Sequence, residues 1–142
     1  MDSFPFSAEE WDKVSEAARA VTNATLVDDQ VLEASQFIEL QTVLDELRAR
    51  HGEHPTLIET EADFENDVSR RRDMYRAAVQ LAEAHALPTL SIRISLARLL
   101  LEDFGDSQSA AKELEACRHE LATNGHDWDR KEWSDLLDLC QR

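Results

Sequence analysis

Residues 88–105, PTLSIRISLARLLLEDFG, are the most apolar stretch of a chain in which 32% of residues are charged, and a fold must cover them. Leu90, Ile94, Ala97 and Leu101 recur at helical spacing. Ile92, Leu96, Leu99 and Leu100 fill other directions, so the apolar surface exceeds the roughly 100° stripe of a surface helix. The spacing predicts a central helix packed on at least two sides. Its polar residues Ser91, Ser95, Arg98 and Glu102 step by four, three and four along one narrow line, and only Arg93 falls off it. Pro88 and Thr89 supply a start, with Thr89 as N-cap, and Gly105 a left-handed stop.

The chain has 142 residues with three glycines and three prolines. That length and composition predict one all-α domain with short connections. Ser7 and Glu10 form a capping box, with Phe6 and Trp11 placed as a hydrophobic staple, so a first helix is expected over 8–24. Asp28 or Asp29 opens a second, ending near Arg50 before Gly52 and Pro55. Phe37, Leu40, Leu44 and Leu47 make its core face, while Val31, Ala34 and Ile38 make a second apolar face. A short helix over 55–65 and a fourth reaching about His85 follow. After the central helix, one helix from Asp106 or Ser107 to Asn124 and a last one over 129–140 bring the expected count to about seven. In the last, Asp129 and Glu132 are read as a capping box and Trp128 and Trp133 as its staple.

Thirty acidic side chains face 15 basic ones, a formal net charge of −15. Such a surface repels phosphate, which disfavours nucleic acid and anionic membranes and suits a basic protein partner or simple solubility. Six acids between His51 and Ser69 precede Arg70-Arg71-Arg72, a pattern read first as intramolecular pairing and second as an anion grip by the arginines. No segment reaches the ~18 uninterrupted apolar residues of a membrane span, and MDSFPFSAEEW has no signal-peptide pattern. Cytoplasm is therefore the expected compartment.

Motifs for chemistry are absent. His51, Glu53 and His54 could offer two imidazoles to a metal, but the spacing supplies no further ligands, so a surface turn with a histidine near a helix cap is the simpler reading. There is no phosphate loop, nucleophile motif or zinc-protease pair. Neither a catalytic residue nor a metal or cofactor is assigned. Cys117 and Cys140 have no metal or redox spacing and read as small apolar residues.

Helices three and four align with five and six at an offset of about 39 residues, placing Asp67 on Asp106, Tyr75 on Leu114 and Ala78 on Cys117. The segment LARLLLEDFGDSQSAAKELEAC has a leucine-rich first helix, a Gly105-Asp106 turn, and Ala110, Leu114 and Cys117 in the second helix. In these residues the chain resembles the tetratricopeptide repeats, best over 90–121 and less closely over 55–87. It departs from them in its longer period, and in Ile94 and Arg98 at positions where the family has an aromatic and a small residue.

The resemblance implies antiparallel pairs over 8–50, 55–86 and 89–122, with a capping helix at 129–140, stacked as a right-handed superhelix. It further implies a non-catalytic protein-interaction module whose groove is lined by Ser91, Ser95, Arg98 and Glu102. The same four residues have a simpler reading as the solvent side of a mostly buried helix. Two other functions stay open: a small acidic inhibitor masking a basic partner, and a hydrolase using a carboxylate pair. Arg93, facing an apolar direction, needs a partner, and Glu61, also at an apolar position, is the expected one.

Overall fold

The Ser7 hydroxyl accepts from the Glu10 N–H at 3.1 Å while the Glu10 carboxylate accepts from the Ser7 N–H at 2.9 Å, so the first helix begins where its capping box puts it. Phe6 and Trp11 stack with ring centroids 5.6 Å apart. In the computed structural model, which describes residues 3–142, that helix is α1 (Ala8–Leu26), followed by α2 (Gln30–His51) and α3 (Pro55–Asp63). Asp28 makes the turn between α1 and α2 at φ 56°, and Asp29 caps α2 through the Leu32 N–H at 3.0 Å. Gly52, at φ 83°, stops α2 with its N–H on the Arg48 carbonyl. Val14, Ala17 and Val21 of α1 close a core with Leu40, Leu44 and Leu47 of α2 and Leu57 of α3.

The chain divides into two units, residues 1–64 and 65–142. The boundary falls inside the expected pair 55–86. α3 sits with α1 and α2, because Leu57 is buried in their core and Glu61 pairs with Arg48 of α2. The second unit holds α4 (Val68–Ala84), α5 (Leu90–Glu102), α6 (Ser107–Ala116), α7 (Arg118–Asn124) and α8 (Asp127–Cys140). All described secondary structure is helical, and no described helix is long and apolar enough to cross a membrane.

In this unit α5 is the centre, as its all-round apolarity predicts. Leu90, Ile92, Ile94, Leu96, Ala97, Leu99 and Leu100 are buried, and the helix packs against α4, α6 and α8. Its start differs from expectation. Thr89 makes no side-chain cap; the Glu120 carboxylate of α7 instead accepts the N–H groups of Thr89 at 2.9 Å and Leu90 at 2.6 Å. A carboxylate from another helix thus supplies both the hydrogen bonds and the negative charge that a helix N-terminus favours.

The expected single helix 106–124 is broken at Cys117, giving eight described helices where about seven were expected. The break has a donor behind it. The Trp133 indole N–H reaches the Leu114 carbonyl at 2.8 Å, occupying the acceptor that the Arg118 amide would use in a continuous helix. The last helix starts at Asp127, two residues before the expected Asp129, because Asp129 accepts from the His126 N–H at 3.0 Å. Trp128 is exposed and stacks on His126, so it does not staple to Trp133.

Candidate interaction surface

Of the polar line on α5, Ser91 and Glu102 are exposed, while Ser95 and Arg98 are half-buried. Arg98 is engaged in an ion pair with Glu132 of α8. The capping helix therefore takes the central charge of the line, leaving a serine and a glutamate near its two ends.

Glu61 and Arg93, the expected pair, each have ion-pair partners within their own unit. Glu61 lies 2.8 Å from Arg48, whose guanidinium also meets Asp45 at 2.9 Å and Glu53 at 3.0 Å. Arg93 meets Glu113 of α6 at 2.7 Å and Glu83 of α4 at 2.8 Å, and donates to the Thr89 hydroxyl at 3.2 Å. Its side chain is only 13% exposed, so these acceptors satisfy a cation that would be costly alone. The need for a partner was legible; the identity of the partner depended on α4 and α6 flanking α5.

Glu53 and Glu61 take Arg48, and Glu65 takes Arg70 at 3.6 Å. Arg72 lies 4.8 Å from the Phe104 ring centroid, and Arg71 lies 5.7 Å from that of Tyr75. The unfavourable placement of cations at the start of α4 is offset by Asp67, which accepts the N–H groups of Ser69 and Arg70.

His51 and His54 have structural roles. His51 Nε2 is 3.0 Å from Glu10, His54 Nδ1 accepts the Thr56 N–H at 3.1 Å, and both rings meet Phe6 edge-on. Among the described residues, no group of three or more His, Cys, Asp or Glu side chains could hold a metal ion. Burial pushes the Cys117 thiol up to about 11.

Residues 1–64 show another arrangement. They contain 15 acidic and four basic residues, a net −11, whereas residues 65–142 contain 15 and 11, a net −4. Two of the four cations, Arg48 and Arg50, are already paired with carboxylates of the same unit. A groove between α1 and α2 is lined by Glu16, Glu39 and Glu46 with a single cation, Lys13, over a floor that includes Ala17 and Val43. Val31 and Ile38 of α2 are 83% and 62% exposed, and Leu26 at the end of α1 and Val27 in the turn after it 77% and 70%. The sequence shows Val31, Ala34 and Ile38 as a second face of α2, but only the structure shows it uncovered. No protein family, curated protein or solved structure matches the chain.

Proposed function

We propose that the chain is a non-catalytic protein-interaction module that binds a basic partner through the acidic surface of residues 1–64. The observation that carries this reading is the concentration of charge, net −11, on the unit whose α1–α2 groove holds three carboxylates against one ammonium. A potential of that sign raises the encounter rate with cationic surfaces and disfavours anionic ones. The surface is favoured over the polar line of α5, whose Arg98 is already held by Glu132.

A tetratricopeptide-like arrangement is the finer structural part of the proposal. Its support is local: α5 and α6 pack closely, Gly105 turns between them at φ 59°, and Ala110 and Cys117 are buried small residues.

The test is a capture experiment from native lysate with the wild-type chain and with Glu16→Lys/Glu39→Lys/Glu46→Lys, at low and high salt. Basic proteins retained by the wild type at low salt, and lost from the variant, are the expected result. Equal retention by the two chains would overturn the acidic-surface reading.

A further inference from the structure

The outer face of α2 combines two properties that are rarely adjacent on so charged a chain. Leu40, Leu44 and Leu47 point into the core, and at 100° per residue Val31, Ala34 and Ile38 point the opposite way. Between residues 30 and 42 this outer face consists of Val31, Ala34, Ser35, Ile38 and Thr42 and carries no charge. The Thr42 hydroxyl is bound back to its own helix, donating to the Ile38 carbonyl at 3.0 Å. Leu26 and Val27, before the start of α2, are also exposed. One long border of the strip is acidic: Glu39 and Glu46 lie beside it on α2 and also line the α1–α2 groove with Glu16.

We propose that this face receives a cationic amphipathic helix from a partner protein, its apolar stripe on Val31, Ala34 and Ile38 and its basic flank over Glu39 and Glu46. The inference rests on the acidic-surface reading above and adds the shape of what binds there. Charge complementarity selects the occupant. A second copy of this chain would bring another net −15 to the same acidic border, and an anionic bilayer would be repelled likewise. From Val31 to Ile38 the strip runs about 10 Å, about two turns of a docked helix presenting apolar residues at i, i+3, i+4 and i+7.

The probe is a synthetic helix of about 18 residues with leucines at those positions and lysines elsewhere, compared with a scrambled peptide of identical composition. The amphipathic peptide is expected to bind at least about tenfold more tightly than the scrambled one, and Val31→Ser/Ile38→Ser to abolish that preference. Both substitutions are at exposed positions, and circular dichroism checks that the helices remain. Glu39→Lys/Glu46→Lys should weaken both peptides. Equal binding of the two peptides, still dependent on Glu39 and Glu46, overturns the helix-docking inference and leaves the acidic-surface reading standing. Absence of binding by either peptide overturns both. Self-association abolished by Val31→Ser/Ile38→Ser in sedimentation velocity would assign the face to a second copy and overturn the proposal.

Discussion

Three groups converge on the Glu10 carboxylate: the Ser7 N–H, the His51 ring and the Arg50 guanidinium. The Ser7 backbone bond first and the His51 bond next hold its pKa down from 4.5 to about 2. Because the folded value is depressed, the stabilisation is present above about pH 4.5 and is lost as pH falls towards 2. Glu10→Gln should therefore lower the thermal midpoint at neutral pH and flatten its fall between pH 4.5 and 2; parallel pH profiles for variant and wild type would contradict this. Arg93 gives a second test at the same scale. In a double-mutant cycle, Arg93→Met and Glu113→Gln should couple by about 1 kcal/mol, whereas Arg93→Met and Glu61→Gln should be additive within about 0.5 kcal/mol in chemical denaturation. Single residues also show what a sequence conveys. Ser7 and Glu10 are three apart, so their reciprocal bonds follow from helix geometry alone. Arg93 and Glu113 meet only because α5 and α6 pack, and no local spacing encodes that pair.

Elements follow the same division. The burial of α5 was legible because its apolar residues point in nearly every direction, and its stop at Gly105 because the turn needs φ above zero. Its N-terminal partner was not, because the capping carboxylate comes from Glu120, distant in sequence. The break between α6 and α7 is likewise tertiary in origin: the stripe Ala110, Leu114, Cys117 and Leu121 is continuous and gives no sign of it. Trp133 on α8 donates to the Leu114 carbonyl, which also accepts the Cys117 N–H, and so competes with the Arg118 amide for it. Trp133→Phe keeps an aromatic ring in that place and removes the donor. We expect a loss of about 1 kcal/mol in chemical denaturation and a gain in hydrogen-exchange protection at the Arg118 amide, as that amide recovers its helical acceptor. An Arg118 amide unchanged in protection would show that another contact sets the break. The outer face of α2 illustrates the opposite failure. Its apolar pattern was readable, but a pattern on two faces does not say which face stays open.

For the whole molecule, the net charge of −15 was readable at once, while its distribution required the boundary at residue 64, which lies between α3 and α4 inside an expected helix pair. With net −11 on residues 1–64 and net −4 on residues 65–142, like-charge repulsion opposes folding mainly in the first unit. Salt also weakens attraction, notably around Arg48 and Arg50, so the two effects compete. Repulsion should dominate, because the first unit's acids far outnumber its cations, and the half-buried Arg48 cluster is screened less than exposed charge. Raising salt from about 20 mM to about 500 mM, where the Debye length shrinks from roughly 20 Å to a few ångström, should stabilise the first unit more than the second. Native-state hydrogen exchange reads this directly: the amides of Leu40 and Leu44 should gain more protection than those of Leu96 and Leu100, all four side chains being buried. An equal gain, or a larger one in α5, would mean that the excess carboxylates of α1 and α2 are far enough apart to be screened by water alone. The acidic surface would then be without appreciable self-repulsion, and binding a cationic helix there would relieve none.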